Sequence, residues 1–252
     1  MADAGSSDLP TVVFAHGFLG FGRLPVLGVP YFRGVDRLMA ELGLPFLAPQ
    51  LPRAASVRDR SQALANVLAG SRAKTFVLVG HSMGGLDARL VAARLDPGRR
   101  VQAVVTLGTP HRGSPLAERA LAGRGPVARW AARHWRPALM DLTPAAADKF
   151  NAAFPDRPDV RYLSYAGVRP AAETPLWARR FQRLIADSEG DNDAQVSVRS
   201  ARWGDFRGVL RADHWELIGW NLGLKDPGHA RPYPHRELLK AALADALGAA
   251  RG

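Results

Sequence analysis

The sequence contains no cysteine, only four lysines and no long uninterrupted apolar run. Without cysteine, a disulfide framework, a thiolate metal site and a cysteine nucleophile are excluded. The lack of an apolar run of about 18–20 residues argues against a transmembrane helix. The first eight residues lack the basic and apolar regions of a signal peptide. We therefore expect a cytoplasmic protein, or a secreted one whose signal peptide is absent from this sequence.

Positive charge is in excess, because 34 lysine and arginine residues stand against 23 acidic residues, a formal net charge of +11. The basic residues are scattered, and their densest spots are pairs such as Arg99-Arg100 and Arg179-Arg180. Because a nucleic-acid-binding face needs clustered basic residues, we expect no nucleic-acid partner. The 47% of hydrophobic and 23% of charged residues are typical of a globular protein.

Short apolar segments alternate with segments of helical periodicity along the first part of the chain. Strands are predicted over 11–17, 44–49, 75–80 and 101–107, and helices over 31–42, 56–69 and 83–95. This alternation predicts an α/β fold with a mostly parallel central sheet and helices on both faces. Strand character returns over 160–167, and a last helix is predicted after Pro234.

The segment 114–159 carries apolar and aromatic residues but no strand pattern. We predict that it is an inserted helical cap within one domain covering residues 1–252. Two forms of this insertion stay open: a mobile apolar lid over the functional site, or a packed helical cap that never moves.

The motif Gly80-His-Ser-Met-Gly84 matches G-x-S-x-G and joins the strongest predicted strand to a predicted helix. A serine on such a sharp turn projects above the sheet edge, and flanking glycines let the neighbouring chain pass. Ser82 is therefore the predicted nucleophile. The backbone N–H groups of Met83 and of Phe18, in the loop after the first strand, are predicted to form the oxyanion hole.

Three motifs together resemble the bacterial true lipases of the α/β-hydrolase superfamily. They are His16-Gly-Phe-Leu-Gly20, Gly80-His-Ser-Met-Gly-Gly85 and Gly108-Thr-Pro-His-Arg-Gly-Ser114. The third is the most diagnostic, because in that family it also follows the strand after the nucleophile helix. The resemblance covers residues 10–120 and returns around 191–222.

A base and an acid are expected downstream of the nucleophile, in the order serine, acid, histidine. His229 and His235 flank a proline-rich segment typical of a surface turn. Arg211-Ala-Asp-His-Trp-Glu-Leu217 resembles the family's catalytic-histidine segment, so His214 is the predicted base. Asn192-Asp193 with Val196 is similar to the family's Asn-Asp-x-x-Val, so the resemblance implies Asp193 as the acid, with Asp191 as the second choice.

Many relatives in that family carry a structural calcium, held by an Asp two residues after the catalytic histidine and by a second Asp upstream. Here the corresponding positions are Glu216 and Glu173, and the family's disulfide is absent. We therefore expect this loop to be held by ordinary salt bridges and no cofactor to be required. A structural calcium stays open as the alternative, with Glu173 and Glu216 as its weak candidate ligands.

The predicted function is a serine carboxylic ester hydrolase of the lipase or esterase kind. Apolar acyl esters are the expected substrates, with aliphatic polyesters as a secondary class, and the sequence does not determine an oligomeric state. Two alternatives stay open: an acyltransferase or amidase that uses the same triad, and an inactive hydrolase fold that acts as a binding protein. The acyl pocket is predicted to be lined by His16, Leu19, Phe21, Leu24 and Leu27.

Overall fold

A computed structural model describes residues 9–22, 28–123, 126–222 and 233–248 of the protein. Its strands are β1 (Thr11–Ala15), β2 (Phe46–Leu47), β3 (Phe76–His81), β4 (Val101–Leu107), β5 (Arg161–Gly167) and β6 (Asp205–Leu210). They form one parallel sheet in the order β2-β1-β3-β4-β5-β6. The parallel α/β sheet predicted from the sequence is confirmed.

Ten α-helices lie within the described residues: α1 (Val35–Leu42), α2 (Val57–Gly70), α3 (Met83–Leu90), α4 (Pro115–Ala122), α5 (Pro126–His134), α6 (Arg136–Asp141), α7 (Pro144–Ala153), α8 (Arg179–Glu189), α9 (Val198–Ala201) and α10 (His235–Leu247). A π-helical turn, Val91–Leu95, continues α3. None of these described helices has both the length and the apolar character needed to cross a bilayer.

The two faces of the sheet are buried under different helices. Successive residues of a strand point to opposite faces. Val12 and Phe14 accordingly pack in the core that α1 and α10 complete. Val13 and Ala15 pack in the core that α2 and α3 complete. Burial on both faces explains why these strands have continuous apolar sequences rather than alternating ones.

The helices α4 to α7 form the insertion between β4 and β5. This insertion packs on α3 through a separate apolar cluster, to which α4 contributes Ala117 and α6 contributes Ala138. The other buried members are Val57, Met83, Leu86, Leu90 and Leu142. The segment predicted as a cap is therefore helical and lies on α3. The two forms left open above, a mobile lid and a fixed cap, both stay predictions.

Some element boundaries differ from the predicted ones. The predicted helix 31–42 begins only at Val35, because Gly34 takes a left-handed conformation with φ 67°. The predicted strand 44–49 shrinks to β2 at the sheet edge, since Pro45 and Pro49 have no N–H to donate. Neither α8 nor the half-exposed strand β6 was predicted. The N-terminal residues 1–8 lie outside the described part of the chain.

Candidate active site

Ser82 lies on the turn between β3 and α3. Its backbone has φ 53° and ψ −131°, a conformation that is strained for any residue other than glycine. Its N–H donates to the carbonyl of Leu107 over 3.0 Å, which fixes the turn to β4. The strand-to-helix geometry expected of a nucleophile elbow is present, and the side chain lies in the wall of a cavity.

The glycines around Ser82 are required by close approaches of backbone. A Cβ on Gly80 would lie 2.5 Å from the backbone of Gly85. A Cβ on Gly84 would meet the carbonyl oxygen of Ala15 in β1, and one on Gly85 would meet the side chain of Thr109. The turn can therefore be this tight only because these positions carry no side chain.

Asp193 and His214 form a buried hydrogen-bonded pair. The Nδ1 of His214 lies 2.8 Å from Oδ2 of Asp193, and both side chains are almost wholly buried. Because a carboxylate only accepts, Nδ1 carries the proton and Nε2 is left as the basic nitrogen. The other oxygen of Asp193 accepts from the N–H groups of Gln195 and Val196, at 2.9 and 2.7 Å. Asp191, the second choice for the acid, is exposed.

His81 connects the nucleophile turn to the loop that carries His214. Its Nε2 lies 2.8 Å from the carbonyl oxygen of His214, and the two imidazole rings are 4.4 Å apart between centroids. Its Nδ1 lies 2.9 Å from the hydroxyl of Tyr31. Burial lowers the pKa of His81 well below its ordinary value and raises the pKa of Tyr31. A neutral His81 therefore donates from Nε2 and accepts from Tyr31 at Nδ1.

The loop after β1 brings Phe18 beside the Ser82 turn. A Cβ on Gly17 would lie 2.8 Å from Cβ of Ser82, so the two turns are in contact. Leu19 has a positive φ of 54°, and its N–H donates to the carbonyl of Arg53 over 2.8 Å. Among the described residues, the N–H groups of Phe18 and Met83 have no hydrogen-bond acceptor. Their role in an oxyanion hole stays a prediction.

A buried ion pair stabilises the loop that follows β1. The Arg60 guanidinium lies 2.7 Å from the carboxylate of Asp87 in α3, and both side chains are fully buried. The same guanidinium donates to the carbonyl oxygens of His16 and Pro52, at 2.5 and 2.7 Å. Burial raises the pKa of Asp87 to about 7 despite the arginine beside it. Arg60 therefore ties the loop after β1 to the helix that begins at Ser82.

The segment Gly108-Thr-Pro-His-Arg-Gly-Ser114 connects three parts of the site. A Cβ on Gly108 would lie 2.8 Å from Oδ2 of Asp193 and 3.3 Å from Nδ1 of His214. At the other end of the segment, Ser114 is the N-cap residue of α4. Its hydroxyl donates a hydrogen bond to the carbonyl oxygen of Gln195 over 2.8 Å. The motif thus leaves room for the Asp193–His214 pair and holds the cap to the loop of Asp193.

An apolar cavity of about 1470 Å³ opens beside Ser82. Its wall includes Phe18, Leu19, Phe21, Leu139, Trp177 and Trp215. Two of the predicted pocket residues, Leu19 and Phe21, lie in this wall, whereas Leu24 and Leu27 lie outside the described residues. His16 does not line it, because its buried ring accepts a 3.0 Å hydrogen bond from the N–H of Leu51.

Glu173 and Glu216, the weak calcium candidates, both bind Arg169. Arg169 Nη1 lies 2.8 Å from Glu173, and its Nε lies 2.9 Å from Glu216. All three side chains are buried, and Glu216 also accepts from the N–H of Asp213 over 2.9 Å. Because a guanidinium already lies between the two carboxylates, these residues do not fit a calcium ion. The described residues hold no cluster of three or more potential metal ligands.

The structure thus brings Asp193, His214 and the loop of Ser82 to the carboxyl edge of the sheet. His235 is not part of this site, because its Nε2 is hydrogen-bonded to the carbonyl oxygen of Arg33. His229 lies outside the described residues. Sequence reasoning missed His81 and Tyr31. The one sequence signal for His81 is its position directly before Ser82 in the motif Gly80-His-Ser-Met-Gly84.

Three comparisons with known proteins bear on these observations. Residues 63–123 match the family described as PGAP1-like alpha/beta domain. The chain is 28% identical to triacylglycerol lipase 2 of Saccharomyces cerevisiae over 80% of this chain and 66% of that protein. It is 36% identical to a triacylglycerol lipase of Vibrio cholerae over 42% of this chain and 34% of that one. The matches therefore span less than two thirds of the length of these relatives.

Solved structures share the fold. The crystal structure of a metagenomic carboxyl esterase superposes with a TM-score of 0.77 at 22% identity, covering 96% of this chain and 77% of that one. This likeness supports the parallel sheet and its helical layers. The chain is similar to proteins of the lipase-like α/β-hydrolase family.

Proposed function

We propose that the protein is a serine carboxylic ester hydrolase that acts on esters with apolar acyl chains. The observation that carries this proposal is the buried pair of Asp193 and His214 beside a strained Ser82 turn that opens on an apolar cavity. A nucleophile, a base and an acid that orients the base are the parts that acyl transfer needs. The triacylglycerol lipases among the relatives agree with this chemistry.

The first half-reaction forms an acyl-enzyme. Ser82 Oγ attacks the ester carbonyl carbon while Nε2 of His214 takes its proton, and Asp193 stabilises the resulting imidazolium through Nδ1. The negative charge on the former carbonyl oxygen faces the N–H groups of Phe18 and Met83. The intermediate collapses when His214 returns the proton to the leaving alcohol oxygen.

The second half-reaction repeats these steps with water as the nucleophile. His214 takes a proton from water, the hydroxide oxygen attacks the acyl carbon, and the ester bond to Ser82 breaks. The proton goes back to Ser82 Oγ, and a carboxylic acid leaves. Every proton transfer in this sequence uses His214, and no step calls for a cofactor.

The cavity supports a long acyl chain as the substrate. Its volume of about 1470 Å³ exceeds the roughly 300–1,000 Å³ of ordinary ligand pockets. Aromatic and aliphatic side chains form most of its wall, which favours an apolar chain over a polar one. We therefore propose that long-chain esters are turned over at least as well as short-chain esters.

Replacement of the nucleophile tests the proposal. Ser82→Ala should lower hydrolysis of p-nitrophenyl butyrate by roughly 10⁶-fold, and Asp193→Asn by about 10⁴-fold. Ser71→Ala, which removes a hydroxyl at the end of α2, is the matched control and should keep full activity. Full activity in Ser82→Ala would refute the proposal.

A comparison of p-nitrophenyl palmitate with the butyrate ester tests the chain-length proposal separately. Equal or faster turnover of palmitate is expected. Fast butyrate turnover with slow palmitate turnover would leave the esterase chemistry intact and overturn the long-chain preference.

A further inference from the structure

Arg169 lies in the connection that follows β5, two residues beyond the end of the strand. Its side chain is buried and forms ion pairs with the buried carboxylates of Glu173 and Glu216. Taking a guanidinium and two carboxylates out of water is costly, and such a cluster adds little net stability to a fold. Stability alone therefore does not explain why these charges are buried beside the segment that carries His214.

The backbone of Arg169 contacts the loop of the proposed acid. Its N–H donates to the carbonyl oxygen of Asn192 over 3.0 Å, and Asn192 directly precedes Asp193. The side chain of Asn192 is itself buried, and its Oδ1 accepts from the N–H of Ala194 over 2.9 Å. The backbone is thus fixed on both sides of Asp193, and Arg169 supplies one of these hydrogen bonds.

The side chain of Arg169 contacts the loop of the proposed base. Its Nε lies 2.9 Å from Oε2 of Glu216, and the same oxygen accepts from the N–H of Asp213, also over 2.9 Å. Asp213 directly precedes His214, and its own Oδ1 accepts from the N–H of Glu216 over 2.9 Å. Asp213 and Glu216 therefore close the turn around His214, and the guanidinium holds the charged end of that turn.

We propose that Arg169 is a positioning residue that holds Asp193 and His214 at hydrogen-bonding distance. It reaches the position before the acid through its backbone, and the position before the base through its side chain and Glu216. The 2.8 Å hydrogen bond between Asp193 and His214 joins these two loops, so its length depends on how the loops are placed. Arg169 is not among the described residues that line the cavity, so it acts without touching the substrate.

This inference rests on the proposed function, because positioning matters only if Asp193 and His214 carry out catalysis. It goes further by assigning a role to a buried charge that the reaction itself does not use. If Arg169 were merely structural, its replacement would lower stability and leave kcat of the folded protein unchanged. In the proposed role, the folded protein keeps its affinity for the ester and loses turnover.

Steady-state kinetics of Arg169→Met is the first test, since methionine replaces the apolar stem and lacks the charge. We expect kcat for p-nitrophenyl butyrate to fall at least about tenfold, while KM changes by less than about twofold. Arg157→Met is the matched control, because Arg157 is also largely buried and pairs with Asp96 and Asp159 at the amino ends of β4 and β5. It should lose stability and keep full kcat.

Thermal melting identifies a temperature at which both variants are folded, and kcat is measured there. An equal fall of kcat in both variants, or no fall in Arg169→Met, overturns the proposal.

A measurement without turnover separates this inference from the proposed function. In the Ser82→Ala protein, proton NMR detects the Nδ1–H that His214 donates to Asp193 as a resonance at lower field than the amide protons. Adding Arg169→Met should abolish or broaden this resonance, whereas adding Arg157→Met should leave it in place. An unchanged resonance with Arg169→Met overturns the positioning role. A parent protein that shows the resonance but cleaves no ester would instead refute the proposed function.

Glu216→Gln is a second and milder variant. It leaves Arg169 paired with Glu173, so the buried guanidinium keeps a counter-charge. We expect kcat to fall about fivefold, because the contact between Arg169 and the turn around His214 is weakened. Since both changes break the same contact, the double variant should lose no more kcat than Arg169→Met by itself. Losses that multiply in the double variant, or full kcat in Glu216→Gln, overturn the proposal.

Discussion

The imidazole of His81 donates a hydrogen bond from Nε2 to the carbonyl oxygen of His214 over 2.8 Å. The residue before Ser82, the proposed nucleophile, therefore holds the backbone of His214, the proposed base, although 133 positions separate the two histidines. Tyr31 fixes the orientation of His81 by donating to its Nδ1 over 2.9 Å. For the proposed reaction, we therefore expect His81 and Tyr31 to act as positioning residues for His214.

Removal of the Tyr31 hydroxyl should disturb this positioning. Tyr31→Phe leaves the buried Nδ1 of His81 without a donor, at a cost of about 1–3 kcal/mol. We expect kcat for p-nitrophenyl butyrate to fall about tenfold, with a smaller change in KM. Tyr165→Phe removes a hydroxyl bonded to Asp245 instead and should keep full kcat. An equal loss in both variants would contradict a role specific to the site.

Gly108 should tolerate no side chain, because its Cα faces the Asp193–His214 hydrogen bond. In Gly108→Ala, the new methyl group would lie 2.8 Å from Oδ2 of Asp193 and at a positive φ of 54°. We expect at least about a hundredfold loss of kcat/KM, the result of displacing the acid from the base. Gly43→Ala is the matched control, since it has φ 63° but no atom within 4 Å of the new Cβ.

The two glycine variants separate backbone strain from steric contact. Both should lower the melting temperature, because both force alanine into the left-handed region, and Gly108→Ala should lower it further because its Cβ also meets Asp193 and Leu217. Only Gly108→Ala should lose activity. A normal kcat/KM in Gly108→Ala would show that the pair of Asp193 and His214 is not essential.

Acid should destabilise the fold through His16. Burial lowers the pKa of His16 from 6.5 to about 4. Between these values the unfolded chain binds the proton and the folded chain does not, so stability is full above about pH 6.5 and falls as the pH drops toward 4. The difference corresponds to about 3 kcal/mol at the acid end of this window.

Melting curves at about pH 7.5 and about pH 4.5 measure this effect. The fall in melting temperature should be smaller in His16→Gln than in the parent. Burial also lowers the pKa values of His81 and His111, so part of the fall will remain. His134→Gln, which removes an exposed ring, is the control. An unchanged fall in His16→Gln would exclude His16 as its source.

Calcium and EDTA should leave the melting temperature unchanged, since Arg169 already bridges Glu173 and Glu216. Arg169→Met leaves both carboxylates short of a buried counter-charge and should cost about 3 kcal/mol of stability. Arg211→Gln removes a largely exposed partner of Glu173 and should cost less than about 1 kcal/mol. A clear drop in melting temperature on adding EDTA would contradict this assignment.

The strands β1, β3 and β4 could be predicted because each is buried on both faces and has a continuous apolar sequence. The strand β6 escaped prediction because it lies at the sheet edge, is half-exposed and contains Arg207 and Gly208. The helix α8 escaped because polar residues dominate it and most of its side chains are exposed. Local patterns predict elements well only where burial is the main constraint.

Ser82 could be predicted from local sequence, because its turn imposes glycines at fixed neighbouring positions. The bond between His81 and His214 could not, since it joins residues far apart in the chain and depends on how two loops meet. Arg169 escaped for the same reason. Its two partners lie on different segments, and no sequence pattern indicates that a guanidinium lies between them.

The strand order has a consequence for how the chain folds during synthesis. From β4 onward, each new strand pairs with the strand that was made immediately before it. The order in which these strands are synthesised is therefore the same as their spatial order in the sheet, from β3 to β6. Asp193 and His214 come after β5, so Ser82, the proposed nucleophile, is synthesised long before the two residues proposed to activate it. For the proposed reaction, the order of synthesis means that the three groups can come together only after most of the chain has been made.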